Sequence, residues 1–367
     1  MTVKTTIANS YSSGIILSGS LYGSPLTVTG TIAVSGGYGI LYSGGTATNW
    51  TIANKGVIEA STQGSGIELG NFNTTTVTSG SVTNSNGGTI YGATTGIYVN
   101  GYGTITNIGV STISAQGIGV DIRLAGTVSN LSGGVITGTN AEAVAIYGTG
   151  VPGYLTKVLV FNAGLMQGAS GVEEYIGGSV TNVSGGTILG QTNIGVFLDG
   201  FGSISNSGLI TGARTGIYLY EAGSIYNAPT GVIYGDNGIV AFGGTVINDG
   251  TISAVQHALT FVGYKGSGGT TYFPSLLVEA PQASFSGAID GGRGTLELAS
   301  GKGIGTIAGI GSNVTNFTRL TIDHGAAWNI AGNASGLGTI GTIAGFTRLI
   351  SRASLRSASH STAARWC

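Results

Sequence analysis

Short apolar runs punctuated by Gly, Ser and Asn recur along most of this chain, and the same wording returns at a nearly fixed spacing. Residues 80 to 98, GSVTNSNGGTIYGATTGIY, give the fullest statement of the unit. Close relatives are GTITNIGVSTISAQGIGV from Gly103, GSVTNVSGGTILGQTNIGV from Gly178, GSISNSGLITGARTGIY from Gly202 and GSIYNAPTGVIYGDNGIV from Gly223. Each unit holds three β-prone runs with turn residues between them, for example Ser81-Val82-Thr83, Thr89-Ile90-Tyr91 and Gly96-Ile97-Tyr98-Val99. No segment carries the 3.6-residue period of a helix, which excludes leucine-rich and ankyrin repeats. The pattern predicts an all-β chain wound as a parallel β-helix solenoid with three short strands per coil, expected to be right-handed.

One Asn aligns the coils. It recurs as Asn54, Asn84, Asn107, Asn130, Asn162, Asn182, Asn206, Asn227 and Asn248, at intervals of 30, 23, 23, 32, 20, 24, 21 and 21 residues. Val82, Ile105, Val128, Val180, Ile204, Ile225 and Val246 each stand two residues before it. Strand alternation then points these residues inward as one apolar column and turns their flanking Ser and Thr to water. The Asn marks the bend after that strand. Its amide can bond a turn backbone or the equivalent amide about 4.8 Å along the stack. A plain turn preference would also place Asn there. Recurrence in nine units favours a structural ladder, carried most clearly by Asn84, Asn107, Asn130, Asn182, Asn206, Asn227 and Asn248.

The period divides the chain. Residues 1 to 30 are expected to form an N-terminal cap or leader, because an end coil exposes an apolar face and strand edges. Residues 31 to 345 read as the β-helix, with clear repeats at about 50 to 262 and degenerate coils at 276 to 345. Two insertions break the rhythm: GTGVPGYLTKV at 148 to 158, with Tyr154 and Lys157, and VGYKGSGGTTYFPS at 262 to 275, with Tyr264, Lys265, Tyr272 and Phe273. Solenoids carry such insertions as flank loops, often on the binding side. Aromatic rings with a Lys can grip sugar rings or a protein partner, or simply seal a gap between coils.

Composition then narrows the class. The 367 residues include 70 Gly, only 7% charged residues and 5 Pro, and the mean hydropathy is positive. That is neither a disordered chain nor, lacking a Gly-X-Y period, a collagen. A formal charge of -1 supplies no field for nucleic acid or anionic lipid, and no nucleic-acid partner is expected. The single cysteine, Cys367, forbids an internal disulfide, and His257, His324 and His360 are scattered. No metal site and no cofactor are expected. The longest apolar run in the first thirty residues is Ile15 to Leu17, so no signal peptide is readable, and no membrane span is expected in this chain.

The repeats followed by DGGRGTLELAS, NFTRLTIDHGAAWNI and GTIAGF resemble the β-helical passenger regions of bacterial autotransporter proteins over roughly residues 30 to 345. The resemblance implies an adhesin-like protein, secreted or held at a bacterial cell surface, that touches a glycan or a host or biofilm surface. No catalytic residue carries over with it. No segment of residues 1 to 367 is expected to form the C-terminal membrane barrel that ends members of that family. Residues 346 to 367 contain no Gly but hold Arg348, Arg352, Arg356 and Arg365, which reads as a disordered, truncated or frameshifted end.

Enzymes that act on polysaccharides gather carboxylates on neighbouring coils. Counted from their own aligned Asn, Glu68 and Asp121 share an offset of 14 but lie two coils apart, while Asp199 and Glu221, with Arg214 nearby, differ by two positions. These read more simply as solvated turn charges, so no catalytic residue is assigned and a polysaccharide lyase or hydrolase stands as the alternative. GGRG at 291 to 294 resembles a calcium-binding repeat but has Leu296 where the Asp belongs. GIGTIAG at 303 to 309 lacks the helix a phosphate loop needs. The pairs Ser81/Thr83, Thr104/Thr106, Thr127/Ser129, Ser179/Thr181 and Ser203/Ser205 leave an ice-binding face as a minor alternative to an ordinary solvated one.

Overall fold

The computed structural model describes residues 3–44, 49–70, 79–148, 158–266, 269–332 and 339–343. Among them there is no helix; every regular element is a strand, and the strands stack as a parallel β-solenoid. One coil consists of the strands Gly80–Asn84, Thr89–Gly92 and Thr95–Val99, and the next of Tyr102–Asn107, Thr112–Ala115 and Ile118–Ile122. Each strand pairs in parallel with its counterpart one coil on: Val82 with Ile105, Ile90 with Ile113, Ile97 with Val120. Three ladders result, called here the Asn face, the second face and the third face.

The Asn face is a 15-stranded parallel sheet running from Lys4–Ile7 to Thr339–Ile343. Residues expected to cap the stack therefore supply its first two rungs, Lys4–Ile7 and Tyr22–Val28. The second and third faces join where Val232–Ala241 and Thr251–Phe261 run unbroken around the corner between them. The residues after 343 lie outside the described chain.

Three apolar columns meet inside this prism. The Asn face contributes Val82, Ile105, Val128, Val160, Val180, Ile204, Ile225 and Val246, paired rung to rung and fully buried. The second face contributes Ile58, Ile90, Ile113, Ile136, Met166 and Ile188, and the third Ile67, Ile97, Val120, Val144, Val172 and Val196. β-Branched side chains suit a pleated surface packed on both neighbours. Each one buried contributes about 1.5–3 kcal/mol. Where the second face bends into the third the space is tight at Gly138, whose added Cβ would stand 2.0 Å from the Glu142 carbonyl oxygen, and the paired positions one coil either way are Ala115 and Gly168.

The second insertion forms the antiparallel pair Tyr264–Gly266 and Gly269–Thr271, a hairpin standing off the parallel ladders. The core of the first insertion, 149–157, lies outside the described residues. The strands on either side of it still pair, Asn130 with Asn162.

Candidate functional site

The Asn ladder is internal. All nine aligned Asn are fully buried. Each Nδ2 donates to the Oδ1 of the next, from Asn54 to Asn84 at 2.8 Å through Asn84–Asn107 and Asn107–Asn130 at 3.0 Å to Asn227–Asn248 at 2.9 Å. The same nitrogen reaches turn carbonyls as well; Asn107 donates to Ser111 at 2.9 Å and Val135 at 3.1 Å. Gly134 makes the room, since a Cβ there would lie 2.4 Å from Asn130 Oδ1. At the acceptor end the Gly56 amide donates to Asn54 Oδ1 at 3.2 Å. At the donor end Asn248 reaches Glu279 Oε2 at 3.4 Å, and burial raises that carboxyl to about 9. This row holds the corner and touches no solvent.

The outer surface of the third face carries the chemistry. Strand register places Glu68, Tyr98, Asp121, Ala145, Glu173 and Phe197 in one outward column. The backbone ladder puts Arg123, Tyr147, Tyr175, Asp199, Tyr220 and Phe242 in the next. Glu68 and Asp121 thus share a column with Tyr98 between them, about two strand spacings or ~9.6 Å apart along the axis. Both line an open cleft of about 570 Å³, together with Tyr38, Gln63, Ser65 and Arg123.

Burial sets the electrostatics of this cleft. It raises Glu68 to about 7, opposed by the Ser65 hydroxyl at 3.3 Å and assisted by the Asp121 charge. It raises Asp121 to about 7 as well, against the pull of Arg123, whose Nη2 donates to Oδ2 at 2.7 Å. Asp121 Oδ1 is buried with no hydrogen-bond partner. The Arg123 guanidinium lies over the Tyr147 ring at 4.2 Å and the Tyr98 ring at 5.5 Å. The pair of carboxyls therefore changes charge near neutrality beside a fixed cation.

Beyond Arg123 the rings continue as a row. Tyr147 and Tyr175 stack at 4.8 Å with planes 4° apart. Tyr175–Phe197 and Phe197–Tyr218 follow at 5.8 and 5.7 Å. The Tyr147 and Tyr175 faces cover one another along the axis, so their edges, not their faces, meet solvent. Tyr175 also donates its hydroxyl to Glu173.

A second recess lies at the base of the hairpin. Its volume is about 480 Å³, and its walls are Thr270, Tyr272, Phe273, Ser275, Arg293 and Thr295. Tyr272 and Phe273 are 42% and 43% exposed, and the Arg293 guanidinium sits 6.0 Å from the Tyr272 ring centre.

Of the loop residues singled out in the sequence, Tyr154 and Lys157 lie outside the described residues. Tyr264 and Lys265 are placed by backbone pairing with Thr271 and Thr270, and Tyr272 and Phe273 wall the second recess. Arg214 and Glu221 are exposed, and no ion pair joins them among the described residues. The hydroxyl rows on the Asn face stand in register, but Leu159 and Phe161 interrupt them between Thr127/Ser129 and Ser179/Thr181. No group of three or more Asp, Glu, His or Cys among the described residues is arranged to hold a metal, and no described helix is long and apolar enough to cross a membrane.

Offset counting missed Glu173. It lies 11 residues past Asn162, whereas Glu68 and Asp121 lie 14 past theirs, yet the ladder puts all three in one column. The turns before the second face and before the third both change length from coil to coil, so the column shows only in three dimensions. The chain matches no family model, no curated protein and no solved structure.

Proposed function

We propose that this solenoid is a non-enzymatic, adhesin-like surface or secreted passenger that holds a saccharide chain against its third face. The observation that carries this reading is the open cleft around Glu68, Asp121 and Arg123. Sugar hydroxyls both donate and accept, so they need acceptors and donors side by side. The cleft offers carboxyl oxygens, the Gln63 amide, the Ser65 hydroxyl and a guanidinium, with the Tyr38 ring at one side. The resemblance of the repeats to autotransporter passengers supports the surface setting. A glycan array probed with the full chain tests the reading, followed by titration of any hit against Gln63→Ala and Arg123→Gln. Binding that weakens in both variants supports it. Binding to no glycan, or binding indifferent to both changes, rejects it.

A second reading, a polysaccharide hydrolase, is favoured by one observation: two carboxyls raised to about 7 within one cleft. A pair about 6.5–9.5 Å apart leaves room for a water between base and sugar and leads to inversion at the anomeric carbon. On this reading Glu68, toward the open side, gives its proton to the leaving oxygen and Asp121 activates the water. Release of reducing ends that disappears in Glu68→Gln would establish it. Glycan binding with no turnover would dismiss it in favour of the first.

A further inference from the structure

Arg293 occupies a position that its neighbours give to glycine. Gly291, Gly292 and Gly294 surround it, and its own φ is +66°. A side chain in that left-handed region is strained. The next coil holds the turn from outside: the Arg293 amide donates to the Asn316 carbonyl at 2.6 Å, and Thr318 Oγ1 donates to the Arg293 carbonyl at 2.7 Å. The backbone cannot relax, and the guanidinium is delivered over the Tyr272 ring.

Its charge is still to be matched. The ion pair found among the described residues is Arg123–Asp121. The nearest carboxylate in sequence, Asp290, already accepts from the Gly292 amide at 3.0 Å and from Asn316 Nδ2 at 2.9 Å. Around the guanidinium stand two half-exposed aromatic rings and the hydroxyls of Thr270 and Thr295, in a recess whose size suits one or two sugar rings.

We infer that this recess binds a carboxylated sugar residue of the uronic type. The planar guanidinium matches a carboxylate with two parallel hydrogen bonds. The apolar face of the pyranose lies on Tyr272 or Phe273, and the hydroxyls of Thr270 and Thr295 meet those of the sugar. The choice of ligand class rests on the saccharide-binding reading above; the site and its residues are separate from the third-face cleft.

The position supplies its own control. Arg293→Gly places glycine where the backbone favours it, so the variant folds at least as well as the parent while losing the cation. The full chain is titrated calorimetrically with a galacturonate tetramer, a neutral galactose tetramer and a sulfated galactose tetramer. The expected result is binding of the uronate, at least roughly tenfold weaker binding of the neutral chain, loss of uronate binding in Arg293→Gly and weakening in Tyr272→Ala. Equal affinity for uronate and neutral chains, equal affinity for uronate and sulfated chains, or undiminished uronate binding by Arg293→Gly overturns the inference. Uronate binding that needs Arg293, on a chain that binds no neutral glycan, keeps this inference and removes the third-face reading; neutral binding that needs Arg123, without any for uronate, does the reverse.

Discussion

Asn130 donates to Asn162 at 2.9 Å across an interval of 32 residues, and Asn206 donates to Asn227 at the same 2.9 Å across 21. Coil length varies while the register at the corner does not. The insertion after Gly148 displaces no rung, because the chain re-enters at Val158 and Leu159–Asn162 pairs residue for residue with the strand before it. Added chain length costs little once its ends are pinned.

Removing one rung tests what the ladder is worth. Asn107→Ala deprives Asn84 of an acceptor and Asn130 of a donor, and leaves the Ser111 and Val135 carbonyls without the amide they accept from. Buried polar groups left unmatched cost about 1–3 kcal/mol each. Urea denaturation should register a loss of about 2–4 kcal/mol. Asn107→Asp should lose more, because a carboxylate cannot donate to either carbonyl. A loss under about 0.5 kcal/mol would show that the row is incidental.

Gly134→Ala asks the same question from the other side. The added methyl carbon would stand 2.4 Å from Asn130 Oδ1 and 2.9 Å from Asn107 Nδ2, closer than side-chain contacts allow. Overpacking of this kind costs about 1–3 kcal/mol. Hydrogen exchange should quicken at the coils of Asn107 and Asn130 first. Unchanged protection there would mean that the corner has slack.

Much of this was legible in the sequence and some was not. Val82, Ile105 and Val128 announce an inward column because alternation and recurrence agree, and the ladder pairs them in register. Nothing announces Glu174. It sits in the inward column between Ile146 and Leu198, fully buried, with neither carboxyl oxygen hydrogen-bonded. A strand reading VEEYIG gives no hint which of its two Glu faces in, since that depends on the length of the preceding turn. Likewise the first cleft assembles from segments between Gly37 and Arg123 and the second from segments between Thr270 and Thr295, and single-coil patterns do not contain them.

Glu174 makes stability depend on pH. Burial raises its carboxyl to about 8, against about 4.3 in an unfolded chain. Between those values the folded state holds a proton that the unfolded state has released, so stability falls as pH rises from about 4 to 8 and then levels. Glu174→Leu, which matches Leu198 above it, should stabilise by a few kcal/mol at pH 8 and by less at pH 5. Melting curves at the two values check it; a gain larger at pH 5 would contradict the assignment.

Arg123 restrains Asp121. Its charge and its 2.7 Å hydrogen bond work against the burial that raises the carboxyl to about 7. In Arg123→Gln the Asp121 titration should move higher still, by about 1–3 pH units, the ordinary reach of a close ion pair. Carbon-13 carboxyl NMR follows it directly. A midpoint that falls or stays would mean that Arg123 serves Tyr98 and Tyr147 instead.

The carboxamides of the corner row all point the same way, nitrogen toward the later coil, from Asn54 to Asn248. Small dipoles laid head to tail reinforce one another, and none can turn round alone without setting oxygen against oxygen on one side and nitrogen against nitrogen on the other. Orientation is thus inherited from coil to coil, and the prism has an electrical sense as well as a shape. Its two terminations fit that sense: a backbone N–H at Asn54 and an acceptor oxygen at Glu279.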